Sequence, residues 1–211
     1  MKVIVTRTPE QAEPLVSRLR ALGHEVVLCP LIRIDRIGSE PIELSGYDWV
    51  IVTSPNGAEE LLRRGRGRPA RFAAIGPGTA AVLVRNGVTP DLVPSASTQD
   101  GVLAELPRPA GRVLFAGAEG ARMLLVDELG ADFVPLYRTT LLRPEPPSGD
   151  VVVLASASAA RAFGALGATL PAVTIGPQTS AAAREAGIYV VAEAARHDLA
   201  GLIEAVAGLE S

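Results

Sequence analysis

The chain has 211 residues, of which 48% are apolar and 20% charged, with a formal net charge of −3. At about 150 residues per domain this allows one large or two small domains. The apolar share excludes disorder as the main state, and the negative charge speaks against a general nucleic-acid binder. One cysteine, Cys29, excludes an internal disulfide and a thiolate metal cluster, and two histidines, His24 and His197, make a histidine metal site a poor reading. No apolar stretch approaches the roughly 20 residues that span a bilayer, and MKVIVTRTP reads as a strand and a helix start, with no signal-peptide h-region. The expectation is a soluble, cytoplasmic protein without metal or cofactor. With 33 alanines and eight aromatic residues, its core must be packed from closely spaced regular elements.

In chain order, the predicted strands are 2–6, 25–29, 49–53, 72–75, 91–93, 112–116, 132–136, 151–155, 173–175 and 188–192. Most are unbroken Val/Ile/Leu runs, the pattern of parallel strands buried on both faces. Helical runs fill most gaps, so the fold class is α/β with parallel sheets. Thr8-Pro9-Glu10-Gln11 reads as a capping box with proline at the first helical position, and Gly23 closes that helix. Ser54-Pro55 repeats the arrangement, with Gly65 at the helix end. Gly130 closes a helix through Arg122 and Leu129.

The sequence repeats itself. YDWVIVTSPNGAEELL at 47–62 resembles GDVVVLASASAARAFG at 149–164. AAIGPGTAAVLVRNGVTPDLV from 73 resembles VTIGPQTSAAAREAGIYVVA from 173, and more faintly KVIVTRTPEQAEPLVSRLRALGHEVVLCPL resembles RVLFAGAEGARMLLVDELGADFVPL. Two similar halves of about a hundred residues follow. Breakers at 35–47 and in RPEPPSG at 143–149 are the linker candidates.

Ser54 and Ser156, and Gly76 with Thr79 and Gly176 with Thr179, stand at four strand-to-helix turns. Free N–H groups and the helix dipole make such turns receptive to anions, and glycine permits close approach. Taken singly, each Ser or Thr reads as a helix cap. Four matched turns favour a polyanionic ligand held by two lobes. Gly76, Gly78 and Ala81 fit the dinucleotide pattern G-x-G-x-x-A only formally, because Gln178 replaces the second glycine in the other copy. RRGRGRPAR at 63–71 lacks interleaved aromatics and reads as a solvated helix end and loop. Cys29 reads as a small buried residue, and His24 and His197 as surface residues. There is no G-x-S-x-G elbow and no evident carboxylate pair. The chemistry suggested is one in which holding a reactive substrate in shape is most of the work.

VTR at 5–7, YDWVIVTSPNG at 47–57, IGPGTAAVL at 75–83, LYRT at 136–139 and IGPQTSAAAREAG at 175–187 together resemble uroporphyrinogen-III synthases, in order and over nearly the whole chain. HDLAGLIEAV at 197–206 is similar to that family's C-terminal helix. The resemblance implies two flavodoxin-like (Rossmann-like) parallel-sheet domains with a cleft between them, joined by a two-stranded linker. Domain one would be 1–35 plus 144–211 and domain two 38–140, with linkers at about 35–40 and 140–147. It implies a lyase that cyclises hydroxymethylbilane to uroporphyrinogen III with inversion of the terminal ring and loss of water, without cofactor. It further implies a tetrapyrrole substrate with eight carboxylates, a monomer, no nucleic-acid or membrane partner, and at most transient contact with the preceding pathway enzyme.

Carried over position by position, the family's binding residues fall on Arg7, Thr53, Ser54, Gly76, Thr79, Ser156, Gly176 and Thr179, and its tyrosine on Tyr137. Arg7 fits a carboxylate contact or a structural partner equally. Arg122 matches a family arginine, while Ala155-Ser156-Ala157-Ser158 and Ala116 depart from the family pattern. A phenol can donate its proton, so Tyr137 is the candidate general acid for hydroxide departure. The bland reading has Tyr137 covering a strand end. The competing class is a non-catalytic two-lobe binder or sensor of an anionic small molecule.

Overall fold

The structure, a computed structural model, describes residues 1–210. The elements in chain order are β1 (Lys2–Val5), α1 (Pro9–Ala21), β2 (Glu25–Leu28), β3 (Ile32–Arg36), β4 (Ile42–Glu43), β5 (Trp49–Val52), α2 (Pro55–Arg64), β6 (Gly65–Arg66), β7 (Arg71–Ala74), α3 (Pro77–Arg85), α4 (Gln99–Glu105), β8 (Val113–Ala118), α5 (Leu124–Leu129) and β9 (Asp132–Leu141). There follow β10 (Val151–Leu154), α6 (Ala157–Gly164), β11 (Ala172–Thr174), α7 (Pro177–Glu185), β12 (Val190–Glu193) and α8 (Leu199–Ala207), with a closing 3₁₀ turn.

The chain divides into two compact units, Met1–Arg33 with Thr140–Ser211 (unit 1) and Ile34–Thr139 (unit 2). Unit 1 has the sheet order β12-β11-β10-β1-β2, with every pairing parallel. Val3, Val5, Val151 and Val153 face one layer with Leu15, Leu19, Leu202 and Val206, while Ile4, Val152 and Leu154 face the other with Phe163, Ala182 and Ala183. Alternate side chains of a strand point to opposite faces, so an unbroken apolar run fills both layers, as expected. The alanines serve close approach: a Cβ on Gly164 of α6 would lie 2.6 Å from the Cβ of Ala186, just after α7.

Unit 2 has the sheet order β3-β9-β8-β5-β7, with β5, β7, β8 and β9 parallel. Val50, Val52 and Leu114 pack with Leu61 and Leu83 on one face, and Trp49, Ile51 and Phe115 with Val102, Leu106 and Leu125 on the other. β3 lies beside β9. Ile37 N–H donates to the Leu136 carbonyl and Leu142 N–H to the Leu31 carbonyl, so residue numbers rise along one strand as they fall along the other, an antiparallel pair. The chain passes between the units within these two strands.

The two sheets have the same spatial order and a permuted chain order. In unit 2 a block with β5 and β7 precedes a block with β8 and β9; in unit 1 the block with β1 and β2 precedes that with β10, β11 and β12. In unit 2 the place of β12 is held by Leu92, which makes an isolated parallel bridge with Ala73. This permutation accounts for all three sequence repeats, including the faint one.

Several local expectations change. Residues 91–93 make only that bridge, because Pro90 and Pro94 remove donors on either side and the Asp91 carboxylate accepts from Phe72 N–H at 2.8 Å. β3 occupies part of the 35–47 breaker stretch, and β9 runs on past 136, so Tyr137 lies inside a strand that β3 supports. Thr8 stands at the N-cap of α1 without a side-chain cap bond. Arg122 precedes α5 and pairs with Asp100 at 2.8 Å. His24 is buried, because the left-handed turn at Gly23 folds the chain back into β2. The arginine run is not one solvated face: buried Arg64 donates to the carbonyls of Ile37 at 2.7 Å and Glu40 at 2.9 Å, and Arg71 lies 4.5 Å from the Trp49 ring centroid.

Candidate functional site

In parallel α/β sheets the turns after the strands' C-terminal ends collect ligands, because helix N-termini converge there. The candidate residues fall at these ends in each unit. In unit 2, Thr53 and Ser54 follow β5, Gly76 and Thr79 follow β7, and Tyr137 sits in β9 in register with Ala118 at the end of β8.

Ser54 caps α2, its Oγ accepting Gly57 N–H at 3.0 Å. The same Oγ lies 2.8 Å from the Tyr137 phenol oxygen, so the chain joins these two hydroxyls directly. A side chain at Gly57 would crowd this pair, since a Cβ there would lie 3.0 Å from Ser54 Oγ and 3.7 Å from Tyr137 Cε1. The Tyr137 ring is 7% exposed and packs in the layer with Val52 and Leu136. The adjoining turn is close, since a Cβ on Gly78 would meet Pro55 at 3.8 Å. That spacing leaves room for a side chain at 78, as Gln178 has in the other copy, and removes the case for a dinucleotide fingerprint. Thr53 Oγ1 would lie 3.2 Å from a Cβ on Gly117, which places it over the end of β8.

In unit 1, Ser156 caps α6 by accepting Ala159 N–H at 3.1 Å and lies 3.0 Å from Ser158 Oγ. Arg7 follows β1 and Ser156 follows β10, and the two line one cavity of about 210 Å³. Gly176 and Thr179 follow β11 and are not among its walls. Burial pushes the Arg7 guanidinium below its ordinary pKa. Burial likewise pushes the Cys29 thiol up, in keeping with a packing residue.

Thr79 and Thr179 are 2% and 4% exposed, and neither hydroxyl has a hydrogen-bond partner among the described residues. Gly76 and Gly176 are each covered by a residue that sequence reasoning passed over. A Cβ on Gly76 would meet Ser97 Oγ at 2.4 Å, and one on Gly176 would meet the His197 ring at 3.0 Å. Ser97 and His197 precede the helix caps Thr98 and Asp198, which accept from Gly101 N–H at 3.0 Å and Gly201 N–H at 2.7 Å. The spacing of one hundred residues between the two sets was the signal that could have found them.

Among the described residues, no helix is long and apolar enough to cross a membrane. A family described as uroporphyrinogen-III synthase HemD matches residues 13–204. The chain is 25% identical over 246 residues to the uroporphyrinogen-III synthase of Synechococcus elongatus, covering 97% of this chain and 93% of that one. It is 28% identical over 161 residues to a provisionally named uroporphyrinogen-III synthase of Methanocaldococcus jannaschii, covering 72% of this chain and 66% of that one. A porphyrin biosynthesis protein HemD of Ruminiclostridium josui is 27% identical over 229 residues, and the match takes in 45% of its length. In fold, the chain resembles the crystal structure of a mutant uroporphyrinogen III synthase from Thermus thermophilus, with a TM-score of 0.65 and 18% identity over 100% of this chain and 97% of that one. The family match extends over both units and every candidate residue except Arg7, and on it the chain belongs to the uroporphyrinogen-III synthase family.

Proposed function

We propose that this chain is a uroporphyrinogen-III synthase that cyclises hydroxymethylbilane, inverting the terminal pyrrole ring and releasing water. The observation that carries the chemistry is the Tyr137–Ser54 hydroxyl pair at 2.8 Å, set at the C-terminal ends of β5 and β9's neighbour β8. Tyr137 gives its proton to the substrate's hydroxyl as the C–O bond breaks, and water leaves. The electron-rich pyrrole system stabilises the cation that remains. The ring carbon attacked in the closing step later loses a proton, which restores the phenol, so the acid is regenerated. A positioned acid of this kind contributes about 10²–10⁴-fold.

Ser54 holds the phenol oxygen in place, and the residues offered to the substrate's carboxylates are Thr53, Gly76 and Thr79 within unit 2 and Arg7, Ser156, Gly176 and Thr179 within unit 1. Support comes from the two unpartnered threonine hydroxyls and from the family match, which favours the enzyme over a non-catalytic binder. In this reading the protein is a cofactor-free cytoplasmic monomer that meets the preceding enzyme transiently. Purified protein supplied with hydroxymethylbilane should yield the inverted isomer. Only the uninverted ring, formed at the spontaneous rate, would overturn the proposal.

A further inference from the structure

β9 carries one residue more than its partner strand at the point where the reacting tyrosine sits. Gly117 pairs with Pro135 and the next residue of β8, Ala118, pairs with Tyr137, so Leu136 is left over as a β-bulge. Bulges are rare between parallel strands, and they re-aim the side chains that follow. Phe133 packs in the layer with Trp49 and Phe115, and Val134 in the opposite layer with Val52. Strict alternation would return Tyr137 to the layer of Phe133. Instead Leu136 and Tyr137, neighbours in the chain, both pack in the layer with Val52, which α2 enters through Ala58 and Leu61. A slip of one residue in this pairing would turn the phenol to the wrong face of the sheet.

Backbone bonds close the bulge from both sides, all within unit 2. The Leu136 carbonyl accepts Ile37 N–H at 2.9 Å, and the Tyr137 carbonyl accepts Glu119 N–H at 2.8 Å. One residue on, the Arg138 guanidinium grips the Glu119 carboxylate with two bonds, at 2.5 and 2.7 Å. Glu119 thus ties down the bulge through both its backbone and its side chain. Arg138 and Glu119 are 59% and 44% exposed, and an exposed ion pair adds little to global stability. Two parallel bonds do fix direction, which is what a register needs. The repeat aligns Arg138 with Arg33 but Glu119 with Pro9, which has neither an N–H nor a carboxylate to give. The matching strand of unit 1, β2, ends at Leu28, before the aligned position. The fastening belongs to the unit that holds Tyr137.

We propose that Arg138 and Glu119 are positioning residues for the reaction: their ion pair fixes the register at the bulge and so keeps the Tyr137 hydroxyl on Ser54 as the proton is given up. The proposal rests on the functional reading above, in which that hydroxyl is the acid. In it neither residue touches the reacting atoms. A misplacement on the order of 1 Å at a reacting group can cost about 100-fold in rate, so a pair that contributes little to folding can still govern turnover.

The test compares Arg138→Gln, Arg138→Lys and Glu119→Gln, each alone and in the Tyr137→Phe background. Arg138→Gln and Glu119→Gln should each lower kcat at least fivefold, with KM within twofold and the melting temperature nearly unchanged. Arg138→Lys, which keeps the charge and loses the two-bond grip, should fall between them and the parent. In Tyr137→Phe the same changes should leave kcat where it is, because the hydroxyl they position is gone. Deuterium exchange of the Glu119 amide should quicken at least tenfold in both glutamine variants, while that of Ile51 in the core stays parental. With Tyr137→Phe itself impaired, parental kcat in either glutamine variant would overturn the proposal. So would an equal loss of kcat with and without the Tyr137 hydroxyl, or a rise in KM at constant kcat, which would make Arg138 a substrate contact. If Tyr137→Phe alone turns over at the parental rate, the functional reading of Tyr137 falls instead, and exchange at Glu119 still decides whether the pair fixes the register.

Discussion

The phenol oxygen of Tyr137 and the hydroxyl oxygen of Ser54 lie 2.8 Å apart although 83 residues separate them in the chain. Ser54 comes from the turn after β5 and Tyr137 from β9, two strands away in the sheet, with β8 between them. A contact across an intervening strand needs a long side chain on one side and a small one in the middle. Tyr137 supplies the first, and Ala116 and Ala118 of β8, packed in the same layer as the Tyr137 ring, the second.

Tyr137→Phe keeps the buried ring and removes one hydroxyl. Stability should change by no more than about 1 kcal/mol, the usual scale of one hydrogen bond. Formation of the inverted isomer should slow at least tenfold, on the modest side of what a positioned acid contributes, with KM less affected. A variant that turns over at the parental rate would remove Tyr137 from the chemistry and leave hydroxide departure to the pyrrole system alone.

Ser54→Ala and Ser156→Ala both remove a helix cap, which costs about 0.5–2 kcal/mol. Ser54→Ala also strands the Tyr137 hydroxyl, so its urea midpoint should fall further, by a difference on the order of 1 kcal/mol. Each single change should slow turnover modestly, because backbone donors remain, and the double variant far more. Equal midpoints for the two single variants would show that the phenol gains nothing from Ser54.

Gly57→Ala separates activity from stability. Alanine is favoured over glycine inside a helix by about 1 kcal/mol. Its Cβ, however, would sit 3.0 Å from Ser54 Oγ, tighter than such contacts usually are. Melting temperature should change little while kcat falls several-fold. Parental kcat would mean that the hydroxyl pair tolerates displacement.

Glycine substitutions elsewhere should sort by what the new methyl meets. At Gly101 and Gly201 a Cβ would lie 2.1 Å from the carbonyl oxygens of Ala96 and Arg196, backbone atoms that cannot swing aside, whereas at Gly78 the nearest atom is 3.8 Å away. Gly101→Ala and Gly201→Ala should each lower stability by more than about 2 kcal/mol, in the range of overpacked sites, while Gly78→Ala stays near neutral. Thermal melts in parallel would decide it, and a mild Gly101→Ala would be the contrary result.

Acid should destabilise unit 2 through two carboxylates. Hydrogen bonds from Tyr47 and Arg112 hold Asp132 below its ordinary pKa, and the Arg138 guanidinium does the same for Glu119. The folded state then binds fewer protons than the unfolded one, so this stability is complete above the ordinary carboxylate range, about pH 4, and is lost as pH falls through the folded-state values. Both groups are exposed, so the effect is small. The variant Asp132→Asn with Glu119→Gln should show a shallower fall in urea midpoint between pH 6 and 3; an equally steep fall would place the acid sensitivity elsewhere.

The parts of the fold legible in the sequence are those whose signal is local. Val3–Val5, Trp49–Val52 and Val151–Leu154 are buried on both faces, and an unbroken apolar run has no other comfortable use. β3 was hidden because Ile32–Arg36 alternates charge with isoleucine and borrows its partner from β9. The family resemblance pointed to Tyr137 and Ser54, but nothing local foretold that their hydroxyls meet, since that depends on strand order. The unit 1 cavity was equally invisible, its walls coming from residues near 7, 32, 141 and 156. Thr79 and Thr179 read as helix caps when taken singly; their near-complete burial follows from the third position of α3 and α7, which faces the layer beneath.

The permuted chain order also sets a schedule for synthesis. β1 pairs with β10, and Thr6 donates to the Val153 carbonyl across 147 residues. Every strand of unit 2 emerges from the ribosome in between. At about 5–20 residues per second, β1, α1 and β2 wait on the order of ten seconds with one edge of β1 bare, while the segment that follows them completes its own sheet. A nascent chain of this protein is thus finished in the middle before it is finished at its start, and its first thirty residues are the part most in need of shelter.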